Sequence, residues 1–207
     1  MGKAKCIVGG VVAIAAIGVV ALGVAYGKQI TTESSLERVT SYEDGFNLYR
    51  VDVAYGYDLD AIIDADVHDD QAYVDAVLAQ VLPGVPLEVK APKFACSAFC
   101  ARTTDDDVLM GRNYDFKDDT SALLVHTDPD DGYESICFSA LNNLGANRPD
   151  SSVKGRIASL LGPFAALDGM NEKGVSIAVL TLDSEATDQR TGRQAINTSL
   201  AVRLVLD

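Results

Sequence analysis

Residues 94–116 place the tightest constraint on this chain. They run Phe-Ala-Cys-Ser-Ala-Phe-Cys-Ala-Arg, then Thr-Thr-Asp-Asp-Asp, then Val-Leu-Met-Gly-Arg-Asn-Tyr-Asp-Phe. Two short strand-like stretches flank a cluster of turn formers, which predicts a β-hairpin over the Thr103–Asp107 turn. Such a hairpin returns Arg112 and Asp115, at the end of the second arm, to the side of Cys96, at the start of the first. Parity restricts the arrangement. Residues three apart face opposite sides of a regular strand, so Arg112 and Asp115 both reach Cys96 only where the strand bulges or ends near Tyr114.

Residues 6–26 carry no charge and consist of Cys, Ile, Val, Gly, Ala, Leu and one terminal Tyr. About 20 such residues suffice to cross a bilayer as a helix. Lys3 and Lys5 precede the run and Lys28 follows it. That bias predicts an uncleaved anchor with the rest of the chain on the extracytoplasmic side. A cleaved secretory signal is the alternative, with small residues at Gly23-Val24-Ala25 and a secreted product. Residues 27–45 are polar and are expected to form a stalk. Phe46–Tyr57 alternates loosely and predicts a strand, or one arm of a hairpin. Residues 58–66 fit no single pattern. Asp69 or Asp70 can cap a helix whose apolar stripe runs from Tyr73 to Leu82 and which Pro83-Gly84 ends. Pro86 and Pro92 keep residues 83–93 extended, as a connector between units.

Beyond the central hairpin, Ser121–Thr127 and Tyr133–Ala140 predict two strands around the turn at Asp128–Gly132. A short helix over 152–161 follows. Two further strands, 164–168 and 174–182, flank a loop in which Gly174 can supply a positive φ. Residues 198–206 begin an amphipathic helix with Leu200, Ala201, Leu204 and Val205 apolar. No stop signal follows that helix, and with nothing after it to pack against it, the core is expected not to close. Strands in adjacent pairs, interspersed with helices, predict an α+β fold with antiparallel sheets.

The net charge of −13 excludes nucleic acid as a natural partner, because phosphate binding needs clustered Lys and Arg. Of four cysteines, Cys6 sits at the edge of the apolar run, leaving Cys96, Cys100 and Cys137. There is no Cys-x-x-Cys pair, and the two histidines, His68 and His126, stand in unrelated contexts. No metal and no cofactor is therefore expected. Cys100, four after Cys96 on the same strand face, and Cys137 are expected to be small core residues.

Thiolates attack carbonyl carbon and thiols do so poorly, so Cys96 needs a base. A nucleophile that begins a chain carries its own: an α-amine, with a pKa of about 7.7–8.0, acts close to neutral pH. A carboxylate can orient the amine, and a cation can hold the thiolate.

The pattern Cys96-Ser97, Gly111-Arg112-Asn113-Tyr114-Asp115-Phe116 and Leu167-Asp168-Gly169-Met170-Asn171-Glu172-Lys173-Gly174 resembles the choloylglycine hydrolase family. These are N-terminal-nucleophile hydrolases of linear amides with a four-layer αββα fold, and the resemblance covers roughly residues 94–207. It implies an N-terminal-nucleophile αββα sandwich, here partial; with the apolar run of residues 6–26, the expected fold is that sandwich preceded by one transmembrane helix. It implies Cys96 as nucleophile, its freed amine as base, Asp115 holding that amine and Arg112 beside the thiol. Thr181 falls where bile salt hydrolases have an oxyanion-hole Asn, which leaves only its backbone N–H as that donor. The long upstream stretch resembles the ceramidase-like branch, whose precursors cut themselves before the Cys and keep the upstream chain bound. The corresponding bond here is Ala95–Cys96. The domain reading is an anchor at 1–28, a propeptide-like segment at 29–95 and the first part of the hydrolase domain at 96–207. The family continues past the position matching Asp207, so the sequence is expected to be a fragment or a truncated product. The expected activity, that of the full-length parent, is hydrolysis of a small N-acyl amide through a thioester. The alternatives are a non-catalytic membrane-tethered domain or an acyltransferase on the same scaffold.

Overall fold

A computed structural model describes residues 23–65, 67, 69–85, 87, 96–115, 119–180 and 196–207. Its centre is a six-stranded sheet in the order β1-β2-β5-β6-β7-β8. The strands are β1 (Glu37–Arg38), β2 (Leu48–Val53), β5 (Ala122–Thr127), β6 (Ser135–Ala140), β7 (Ala166–Asn171) and β8 (Ser176–Ala178). The predicted hairpin forms a separate two-stranded sheet, β3 (Cys96–Arg102) with β4 (Val108–Tyr114). The α-helices are α1 (23–34), α2 (Leu59–Asp64), α3 (Asp70–Val81), α4 (Val153–Ser159) and α5 (Thr198–Leu206), and short 3₁₀ turns span Leu141–Leu144, Pro149–Ser151 and Gly162–Ala165. The fold is α+β.

The two faces of the large sheet differ, and that difference creates the site. Tyr49, Val51, Leu123, Val125 and Cys137 alternate onto one face and are buried. With Ile62, Tyr73, Val77, Val81, Phe164, Leu200 and Leu206 they form one core. Ile136, Phe138 and Met170 point from the other face and stay exposed at 46%, 38% and 40%. The hairpin lies over this second face, so helices, sheet and hairpin stack in that order.

Several elements differ from expectation. Residues 27–45 do not form a stalk: α1 runs to residue 34, and β1 then pairs with β2 at the sheet edge. Thr32 and Ser35 tie this segment down, each accepting a backbone N–H, from Ala54 at 2.8 Å and from Asp52 at 2.9 Å. The strand within 46–57 is one arm of a hairpin with β1, and its other edge makes a pairing the sequence did not suggest. β2 pairs parallel with β5, Leu48 with Ala122 through Val53 with Thr127. Two helices and the hairpin intervene between them, a connection long enough for the chain to return in the same direction. Residues 58–66 contain α2, capped by Asp58, whose carboxylate accepts from Ala61 N at 2.9 Å. Asp69 caps α3 in the same way. Residues 162–165 form a 3₁₀ turn, and β7 starts at Ala166. Gly174 has φ +79°, as its loop position predicts.

α5 differs most. It packs against β7, β8 and the Gly162–Ala165 turn, all of which precede it in the chain. Its buried residues are Ser199, Leu200, Val202, Arg203 and Leu206, not the Leu200, Ala201, Leu204, Val205 stripe. Gly169 permits this approach, because a Cβ there would lie 2.6 Å from Leu206 Cδ1. The predicted membrane span falls mainly on residues outside the described set. No helix among the described residues is long and apolar enough to cross a membrane.

Residues 29–85 thus share a core with the segment that follows Cys96. Ile62→Ala, a change at a fully buried position of α2, is expected to lower stability by about 2–5 kcal/mol. Chemical denaturation followed by circular dichroism should show one transition. Two separate transitions would mean that the upstream elements fold apart from the rest.

Candidate active site

The hairpin register places Cys96 opposite Tyr114 and Ala98 opposite Arg112. Cys96, Arg112 and Tyr114 therefore share one face. A tight turn sets this register. Thr103 N–H donates to Asp107 O at 2.8 Å, Thr103 Oγ1 accepts from Asp107 N at 3.1 Å, and Asp106 takes φ 71°. Arg102 Nη1 pairs with Asp106 Oδ1 at 2.8 Å across the turn. On the outer face Phe99 lies on Gly111, where a Cβ would come within 2.3 Å of the ring.

On the inner face Arg112 Nη2 donates to Cys96 Sγ at 2.8 Å and reaches Val179 O at 3.4 Å. Arg112 Nη1 pairs with Asp168 Oδ2 of β7 at 3.1 Å. Both side chains are deeply buried, 8% and 10% exposed. The guanidinium carbon also sits 5.1 Å from the centre of the Tyr114 ring, a favourable placement for a cation. Burial pushes the Asp168 carboxyl above its ordinary value, and Arg112 and the Phe138 N–H offset part of the rise. Arg112 Nε is buried and has no acceptor among the described residues.

A cavity of about 450 Å³ opens beside this trio. Met110, Arg112 and Tyr114 line it from the hairpin, and Ile136, Phe138, Asp168 and Met170 line it from the sheet. Its wall is largely hydrocarbon, and Arg112 and Asp168 supply its charged groups. A thiol next to a guanidinium ionises more readily than a free one. Arg112, which lines the cavity, links it to the sulfur.

The hairpin thus brings Cys96 and Arg112 together. β4 ends at Tyr114, as the parity argument requires. Asp115 follows directly, is exposed, and accepts from Asn113 Nδ2 at 2.7 Å. Ala95, Thr181 and His68 lie outside the described residues. His126 is engaged elsewhere, 2.9 Å from Glu134 Oε1 and 3.3 Å from Asp52 Oδ1. Cys100 is exposed rather than a core residue. Cys137 is buried as expected, and burial pushes its thiol up to about 12, which leaves it inert. Sequence reasoning missed Asp168 as Arg112's partner, although the residue stands inside a motif it singled out. Among the described residues no group of three or more His, Cys, Asp or Glu could hold a metal ion.

A buried arginine on a half-buried cysteine, at one end of an apolar cavity, defines a sulfur-centred site. The family model of the linear amide C-N hydrolases, choloylglycine hydrolase family, matches residues 96–207. That is more than half of the 207 residues, and the chain belongs to this family of linear amide hydrolases. No curated protein and no solved structure gives a significant match to the chain.

Arg112→Ala would strand the Asp168 carboxylate among buried groups. The expected loss is about 3–5 kcal/mol near neutral pH. Asp168 already titrates above its ordinary value, so its contribution to stability is complete below that value and declines as pH rises through the folded one. Removing Arg112 moves the folded value higher still. The destabilisation, measured by urea denaturation, should therefore be smaller at about pH 5 than at about pH 7. An equal loss at both would contradict the pairing.

Proposed function

We propose that the parent protein hydrolyses linear N-acyl amides with Cys96 as its nucleophile. The observation that carries this reading is the 2.8 Å contact from Arg112 Nη2 to Cys96 Sγ at the edge of the apolar cavity. Cleavage of the Ala95–Cys96 bond frees the Cys96 α-amine, which takes the thiol proton. The sulfur attacks the amide carbonyl carbon. A C–S bond forms, the C–N bond breaks, and the proton passes to the leaving amine. Water then attacks the thioester, with the amine again as base, and releases the acid. Arg112 holds the thiolate, and its unused Nε–H can take a substrate oxygen. Asp115 orients the amine, and the Thr181 backbone N–H serves the oxyanion.

The acyl group occupies the cavity between Met110 and Tyr114 on one side and Ile136, Phe138 and Met170 on the other. An uncharged hydrocarbon suits this wall, because Arg112 and Asp168 already neutralise each other. The order of helices, sheet and hairpin supplies three layers of an αββα sandwich, which supports the N-terminal-nucleophile reading. After cleavage the upstream chain would stay bound, since β2 pairs with β5 along its whole length and Ile62, Tyr73 and Val77 belong to the common core. Residues 6–26 would hold the protein at a membrane, with the catalytic domain on the extracytoplasmic side.

Cys96→Ser should lower turnover of an N-acyl amide panel by at least about a thousandfold. Mass spectrometry of the active protein should find a chain that begins at Cys96. Undiminished turnover in the serine variant would overturn the assignment, and an active sample containing only uncleaved chain would remove the processing step.

A further inference from the structure

We propose that Asp168 is a positioning residue: from β7 it aims the Arg112 guanidinium at the Cys96 sulfur and sets how much of that positive charge the sulfur experiences. The inference rests on the reading of Cys96 as nucleophile and adds a residue to its control.

The geometry is a relay across two sheets. Arg112 belongs to the hairpin, yet one of its terminal nitrogens is fixed by a carboxylate of the large sheet, Nη1 to Asp168 Oδ2 at 3.1 Å. The guanidinium is planar, so pinning Nη1 restricts where Nη2 can point. Nη2 points at Sγ, at 2.8 Å. The Tyr114 ring packs against the guanidinium and limits its tilt. Asp168 is itself held by β7, where it pairs with Phe138 of β6. Neither partner can turn to water instead, since both side chains are at least nine-tenths buried.

Charged and titratable groups reach Arg112 from both sheets. Arg112 is the cation. Asp168 is its close counter-charge from β7, and Tyr114 and Asp115 are the titratable groups of its own arm. The Asp115 carboxylate is exposed and held by Asn113. Cys137 of β6 points to the opposite face of the sheet and stays neutral. Asp168 is thus the anion that shares Arg112 with the sulfur. With the carboxylate present the sulfur competes for the cation, and without the charge the sulfur has it alone.

The test reads the thiol directly and does not need amide turnover. The full chain is alkylated with iodoacetamide across a pH series, and mass spectrometry follows Cys96 with the exposed Cys100 as internal reference. Peptides from cleaved and uncleaved chains are counted separately. Asp168→Asn keeps the shape and removes the charge. It should lower the pH midpoint of Cys96 alkylation by about one unit, a tenfold rise in thiolate at a given pH, with the Cys100 midpoint unmoved. Asp168→Glu keeps the charge and should retain the wild-type midpoint. A purely structural role would change accessibility, hence the plateau rate, and not the midpoint. An Asn variant with an unchanged or raised midpoint overturns the proposal. So does a Glu variant that shifts as far down as Asn, a comparison that still decides the matter if the Asn variant folds poorly. Failure here leaves the Cys96→Ser result untouched, so the two readings fall separately.

Discussion

The ion pair between Arg112 and Asp168 is the contact on which the site depends. The hairpin makes no extended strand pairing with the large sheet. Its inner face meets that sheet across a cavity. A buried, oppositely charged pair at 3.1 Å supplies a directional link instead. Such a pair need not add net stability, because both ions lose their water. Its value lies in specificity: only one placement of the hairpin satisfies both charges, and that placement puts Cys96 Sγ against Arg112 Nη2.

The unequal faces of the large sheet explain why a cavity exists at all. One face is sealed by helices from both ends of the described chain, with Val51, Val125 and Leu200 fully buried. Along the same strands the intervening residues Ile136, Phe138 and Met170 are apolar as well, yet partly exposed. A contiguous exposed hydrocarbon surface marks a place where a ligand or partner belongs. Here it lies beside a sulfur and a buried cation, which fits an apolar acyl group with a polar amide at one end. Stability and chemistry use opposite sides of one set of strands.

The parts of this arrangement that were legible in the sequence are local ones. The hairpin 94–116, the cap and stripe of α3 and the strands β5 and β6 follow from turn residues and short-range periodicity. The meeting of Cys96 with Arg112 follows from hairpin parity. What escaped depends on contacts distant in sequence. The parallel pairing of β2 with β5 links residues on either side of the hairpin, and nothing in residues 46–57 encodes direction. Asp168 reads as the last residue of a short strand, and only the pairing of β7 with β6 sets it opposite Phe138 and beneath Arg112. Arg203 lies outside the apolar set read for α5, yet it is completely buried. There it pairs with Asp207 at 2.6 Å and donates to Ser135 Oγ, and Tyr57 donates to the same Asp207 carboxylate. Polarity patterns assume that charge seeks water, and a buried charge cluster inverts that assumption.

A double-mutant cycle on Arg112→Ala and Asp168→Ala, read by denaturant unfolding near neutral pH, tests the link between hairpin and sheet most directly. If each residue exists in its buried position because of the other, the paired change should cost less than the two single changes added together, by at least about 1 kcal/mol. Additivity to within about 0.3–0.5 kcal/mol would mean that the two charges do not depend on one another, and that something else places Cys96 beside the cavity.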